Sequence, residues 1–191
     1  MPGARELRFA QLHDLELCAQ AATGERAAFG ELAKRHGPGV RSLLRRMGAQ
    51  GAEADDVAQD SFLAAFERIA EFRGEGTFAA WVKRIAARAY LRRLQRERRL
   101  TQLIEAPEEA EAAVDVEGRM DLDEGMKALS PAERLCVSLC FGAGLSHGEA
   151  AESLNLPLGT VKSHVKRGLE KLRTRLARPN RPAQERSRRD G

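Results

Sequence analysis

Apolar residues recur every three or four positions through most of this chain and never alternate for long with polar ones. That period predicts helices and no sheet, and the scarcity of β-branched residues agrees. A first helix is expected over Asp14–Ala22, closed by Thr23-Gly24. A second should run from Arg26 to Arg35 and break at "HGPG", with a third over 40–48. A fourth begins near Glu53, with Ala58, Phe62, Ala65, Phe66 and Ile69 on one stripe and Asp56, Asp60, Glu67 and Glu71 on another face. After "FRGEGTF" (72–78), Thr77 is placed to cap a fifth helix whose inner stripe is Phe78, Trp81, Val82, Ile85 and Ala89. On its other side Arg84, Arg88, Arg92, Gln95 and Arg99 form a cationic ridge.

The pattern lapses over 101–121, where Pro107 sits in an acid-rich stretch, and resumes at 122. "LSPAERL" and "LSHGEAAESL" each offer a serine with a glutamate three residues on, a capping box. A short helix follows from His147 to Leu154. Asn155 is suited to the left-handed turn that ends it, and Pro157 prevents its continuation. The next helix turns Val161, Val165, Leu169, Leu172 and Leu176 inward and Lys162, Ser163, Lys166 and Arg167 outward. Short helix, tight turn and longer cationic helix make a helix-turn-helix, whose second helix fits the major groove while the first crosses the phosphate backbone. An ordinary solvated helix face is the plainer alternative for the same charges.

The expected fold class is all-α: two small helical domains joined by a flexible acidic linker. The boundaries read as a flexible N-terminus (1–13), a first domain (14–100), a linker (101–121), a second domain (122–177) and a disordered basic tail (178–191). Composition sharpens this. Among 191 residues, 42% are hydrophobic but only 5% aromatic, so the cores must be aliphatic. The net charge of +4 conceals segregation: eight Lys/Arg against one acid in 83–99, nine acids against one Arg in 105–124, eleven Lys/Arg against three acids in 157–191. Such blocks create local fields suited to nucleic acid and to protein partners. The N-terminal sequence has no apolar signal region and no apolar run is long enough to span a bilayer, so a cytoplasmic chain without membrane insertion is expected. Three cysteines then read as reduced thiols. Cys136 and Cys140, one turn apart among apolar neighbours, read as core rather than as a metal site. Four scattered histidines, with no phosphate loop, zinc spacing or nucleophile motif, give no enzyme reading and no cofactor.

"DDVAQDSFLAAFERIAEFRGEGTFAAWVKRIAARA" (55–89) resembles region 2 of sigma-70 family RNA polymerase sigma factors. "LSPAERLCVSLCFGAGLSHGEAAESLNLPLGTVKSHVKRGLEKLR" (129–173) resembles region 4, and the pairing of these two regions alone resembles the extracytoplasmic-function (ECF) subfamily. The resemblance implies core RNA polymerase as partner. The largest-subunit clamp helices would dock on Asp56, Gln59 and Asp60, and the flap on the second domain. It implies promoter DNA as the second partner. Phe72, Arg73, Gly74, Trp81, Arg84, Arg88 and Arg92 would face the unwound −10 strand, and Thr160, Lys162, Ser163, His164, Lys166 and Arg167 the −35 duplex. An anti-sigma factor is a further implied partner. Trp81 could serve as a stacking wedge, but its phase with Val82 and Ile85 favours burial. Two positions depart from the family pattern, which often has Asn at Arg88 and usually Arg at His164. "TVKSHV" is also similar to the output domain of LuxR-type regulators, the competing reading, but such a regulator or a receiver-fused sigma mimic needs a strand-containing receiver that the first 100 residues lack.

Overall fold

The computed structural model describes residues 8–97, 99–105 and 122–176, so the tail and most of the acidic linker lie outside the described residues. The described chain is helical, in two clusters. The first holds α1 (Asp14–Ala22), α2 (Arg26–Met47), α3 (Gly51–Glu67), a 3-10 turn (Ile69–Glu71), α4 (Phe78–Arg96) and α5 (Arg99–Glu105). The second holds α6 (Leu122–Lys127), α7 (Pro131–Val137), a π-helical turn (Ser138–Gly142), α8 (His147–Leu154) and α9 (Leu158–Leu176).

The expected break at "HGPG" is absent, because α2 runs unbroken through Pro38. A proline inside a helix costs about 3 kcal/mol. Beyond it, however, Val40, Leu43, Leu44 and Met47 are all buried, and each such side chain contributes about 1.5–3 kcal/mol by leaving water. Pro38 itself faces outward. Packing of a continuous inner stripe therefore outweighs the lost hydrogen bond. Gly48, at φ 111°, then ends the helix in the left-handed conformation.

Around α2 the other helices of the first cluster form a bundle in which α2 packs on α1, α3 and α4. Thr77 caps α4, its Oγ1 accepting from the Ala80 N–H at 3.1 Å. The buried stripe of α4 is Phe78, Val82, Ala86, Ala87, Tyr90, Leu91 and Leu94. Trp81, Ile85 and Ala89, expected on that stripe, are half-buried at its margin. α4 ends at Arg96, so Arg99 is not the last step of its ridge. Instead Arg99 opens α5 and binds the nearly buried Glu53 carboxylate at 2.8 Å. α5 also occupies the stretch where the sequence pattern placed the start of the linker. Residues 8–12, expected to be loose, are tied down: Phe9 is buried, and Arg35 donates to the carbonyls of Phe9, Ala10 and Leu12 at 2.8–2.9 Å.

The two clusters pack on each other through one continuous core that includes Leu43, Leu91, Leu135, Leu139 and Leu154. A Cβ on Gly142 would stand only 2.6 Å from Leu43 Cδ1, so a side chain at 142 would push the Leu43 methyl aside where the π-helical turn lies against α2. At the rim Arg46 binds Asp123 at 2.6 Å.

Candidate nucleic-acid interface

Local chemistry dictates the helix-turn-helix. Ser146 and Glu149 cap α8 reciprocally, the Glu149 carboxylate accepting from the Ser146 N–H at 2.8 Å and the Ser146 hydroxyl from the Glu149 N–H at 3.2 Å. Asn155 stands at φ 53°, ψ 45°, the one non-glycine with positive φ among the described residues. Small Ala150 and Ala151 let α9 cross closely. On α9, Val161, Val165, Gly168 and Leu172 are buried. Leu169 is half-buried and Leu176 is 48% exposed, so the inner stripe frays earlier than its periodicity suggested. Lys162, Ser163, Lys166 and Arg167 are exposed and Thr160 and His164 half-buried, so all six expected duplex-facing residues share one helix. Arg167 Nη2 lies 3.0 Å from His164 Nδ1, and Ser163 donates to its own helix at Gly159 O, 2.9 Å away.

The residues expected to face a single strand are not gathered into one open surface. Phe72 and Trp81 pack with their rings tilted by 43° at 5.4 Å between centroids, and both lean on buried Phe78, at 5.9 and 5.8 Å. This aromatic knot anchors the 73–77 loop, whose Arg73 and Gly74 are exposed and whose Gly74 and Gly76 have φ of 75° and 94°. The ridge beyond touches the second cluster at three points, although Arg88 keeps 56% of its side chain exposed and Gln95 is exposed as well. Arg84 donates to Gly144 O at 2.5 Å, Arg88 faces Glu149 at 3.7 Å, and Gln95 donates to Ser153 O at 3.3 Å. The Ser146 hydrogen bonds, with help from Arg84 and Arg88, hold the Glu149 carboxyl below its ordinary range. Arg92 instead opens on a groove shared with Asp60.

Asp56, Gln59 and Asp60 are all exposed on α3. They divide between two flanks, however, with Asp60 beside Arg92 and Gln59 at the edge of a larger groove between α2 and α3. The floor of that groove is apolar, made by Phe29, Ala33, Ala58, Phe62 and Phe66, with Arg41 and Asp55 paired at 3.6 Å on its wall. Leu63, 58% exposed, stands on its rim.

Two family models match: Sigma-70 region 2 over residues 32–100 and Sigma-70, region 4 over residues 125–174. The chain is 33% identical over 171 residues to "RNA polymerase sigma factor NccH" of Alcaligenes xylosoxydans xylosoxydans, covering 83% of this chain and 92% of that protein. It is 31% identical to "ECF RNA polymerase sigma factor SigM" of Mycobacterium tuberculosis, covering 86% and 83%. Among solved structures, CnrH in complex with the cytosolic domain of CnrY superposes with a TM-score of 0.51 at 32% identity, covering 85% of this chain and 96% of that one. This chain belongs to the ECF subfamily of sigma-70 RNA polymerase sigma factors.

As an ECF sigma factor it is a regulatory protein that directs promoter recognition by RNA polymerase, not an enzyme. The LuxR-type alternative falls, since it has no counterpart to the matched region 2. In this sigma factor Cys136 is fully buried, and burial pushes its thiol up to about 12, while Cys140 is half-buried with its thiol also raised by burial. No group of His, Cys, Asp and Glu suited to a metal occurs among the described residues, and no described helix is long and apolar enough to cross a membrane. Sequence reasoning missed the apolar groove with Leu63, whose signal was a leucine on the acidic face of α3. It also missed Glu133 in any role beyond the cap: this carboxylate is fully buried yet faces two cations of α9. The spacing of Glu133 from Arg167 and Lys171 carries no local signal.

Proposed function

We propose that this sigma factor reads a −35 duplex with α9 and an unwound −10 strand with the α4 ridge and the 73–77 loop, while the outer face of α3 docks on core polymerase. The observation that carries the reading is the α9 surface. Lys162, Lys166 and Arg167 project from a helix set by the Asn155 turn to enter a major groove. The exposed glycine-containing loop held by Phe72, Phe78 and Trp81 supports the −10 role, because backbone N–H groups and aromatic faces suit splayed bases. Extruding a base costs a few kcal/mol of stacking, which a preformed pocket returns. The α3 face supports polymerase docking through exposed Asp56, Gln59 and Asp60, while the apolar groove beside Gln59 and Leu63 offers a seat for the apolar face of a helical partner. The flap of the polymerase would meet the second cluster.

In the free chain Arg84, Arg88 and Gln95 touch Gly144, Glu149 and Ser153, so engagement of their side chains by a −10 strand exchanges these contacts for phosphates. A protein regulator that holds the two clusters together belongs to this reading, supported by the complex of the similar CnrH with the cytosolic domain of CnrY. All of this takes place in the cytoplasm, with no cofactor. The test is co-purification with core polymerase of an Asp56→Arg/Asp60→Arg variant. Loss of polymerase binding with unchanged helicity is expected, and normal co-purification would remove the assigned docking face.

A further inference from the structure

Glu133 is an anomaly in a small helical cluster: a carboxylate with no exposed surface. Burial of a charge is tolerated only when partners replace water. Its Oε2 accepts from the Ser130 N–H at 3.1 Å and from Lys171 Nζ at 2.8 Å. Its Oε1 accepts no hydrogen bond among the described residues and faces Arg167 Nε at 3.5 Å. The capping role needs only one of these oxygens and would be met by glutamine as well as by glutamate. The second oxygen and the charge are left for α9.

The approach of α7 to α9 is built for this contact. A Cβ on Gly168 would stand 2.8 Å from Val137 Cγ2 and 3.5 Å from Glu133 Cβ, so residue 168 must lack a side chain for α7 to come this near. Arg167 is the next residue. With its Nε turned toward Glu133, its Nη2 reaches His164 Nδ1 at 3.0 Å. A guanidinium only donates, so Nδ1 accepts and the ring proton lies on Nε2. The chain of contacts therefore runs from a buried carboxylate, through Arg167, to His164, whose Nε2–H is the donor left on its ring.

We propose that Glu133 is a positioning residue for −35 reading: it fixes the Arg167 side chain, and through it the tautomer and rotamer of His164, before DNA arrives. This rests on the assignment of α9 to the −35 duplex. Fixing two side chains in advance removes ordering entropy from the bound state, and it sharpens discrimination because only one donor pattern is offered. The charge of Lys171 serves the same carboxylate but lies a further turn along α9.

The test is run-off transcription by polymerase loaded with the full chain, on the preferred promoter and on versions with single −35 base substitutions. In the parent, a substitution at the base read by Arg167 lowers initiation by about tenfold or more. Glu133→Gln keeps the cap and is expected to melt within a few degrees of the parent, yet to shrink that ratio by about threefold or more. The double variant with Arg167→Ala should be no flatter than Arg167→Ala alone, as coupled residues behave. Ser130→Ala is the structural control: it breaks the cap, lowers the melting temperature and leaves the ratio intact. An unchanged ratio in Glu133→Gln, or equal flattening by Ser130→Ala, overturns the proposal. If Arg167→Ala also leaves the ratio unchanged, the assignment of α9 to −35 fails instead. A measurement on the uncomplexed parent stands independently of how the variants fold. The nitrogen chemical shifts of the His164 ring should show its proton on Nε2, the Nδ1 accepting from Arg167, and a ring protonated on Nδ1 would equally overturn the positioning role.

Discussion

Asn155 offers the sharpest test of the turn that aims α9. It is exposed, so its substitution alters backbone conformation with little change in packing. At φ 53°, ψ 45° an L-residue places its Cβ against the following carbonyl, at a cost of about 1–2 kcal/mol, which asparagine partly escapes and glycine avoids. Asn155→Ala should therefore cost about 1 kcal/mol and Asn155→Val about 2 kcal/mol, while Asn155→Gly should stay within about 0.5 kcal/mol of the parent. The size of the thermal shift carries a second prediction. If the two clusters unfold together through their shared core, each kcal/mol moves the melting temperature by about 2–4 °C; a 55-residue unit unfolding alone would move by about 4–8 °C. Calorimetry should thus give a single transition, lowered by roughly 4–8 °C in Asn155→Val and hardly moved in Asn155→Gly. Glycine more harmful than alanine would refute the backbone argument. Two transitions, of which only one responds, would refute the shared core.

Phe78→Ala should cost about 3–5 kcal/mol, because the ring is almost fully buried among Phe29, Phe72, Trp81 and His36. Trp81 is the sole tryptophan, so its fluorescence follows that cluster directly, and an unshifted emission spectrum would contradict the packing. Burial raises the Tyr90 hydroxyl to about 12 and the Cys136 thiol to about 12, and burial followed by the Asp14 charge raises the Cys18 thiol to about 11. Raised values mean that the folded state keeps protons the unfolded state has released. Stability present below about pH 9 should therefore fall as the pH climbs toward 12, and denaturant midpoints that rise over that range would reverse the sign. A Leu43→Cys/Gly142→Cys pair, oxidised, should hold the clusters together and reduce promoter use until a reductant is added; equal activity in both states would deny that the contacts between ridge and second cluster are exchanged on promoter engagement.

Much of the fold was legible because capping and turn chemistry are local. Thr77, Ser130 and Ser146 cap the helices that their spacing predicted, and Asn155 adopts the conformation its side chain tolerates. Pro38 misled because the compensation for a proline in α2 is tertiary: it comes from Val40 to Met47 meeting a core that the local pattern does not contain. The neighbours of the ridge were hidden for the same reason. Arg84, Arg88 and Gln95 do share the outer side of α4, but whether solvent or a second cluster lies against them is decided by residues 144–153. The α9 surface was readable from phase alone. Glu133 was not, since its partners lie 34 and 38 residues away and a capping box already accounted for its sequence context.

The central claim is that α9 and the α4 ridge jointly direct polymerase to promoters with two separate elements. In vitro transcription with purified core polymerase over a pool of genomic promoter fragments tests it most directly. The account predicts that adding this protein yields discrete start sites sharing one upstream duplex motif and one motif at the melted position. It also predicts that Arg167→Ala erodes only the upstream motif and that initiation weakens steeply with salt. Start sites unchanged from those of core polymerase alone, or an Arg167→Ala variant that keeps the upstream motif intact, would contradict it.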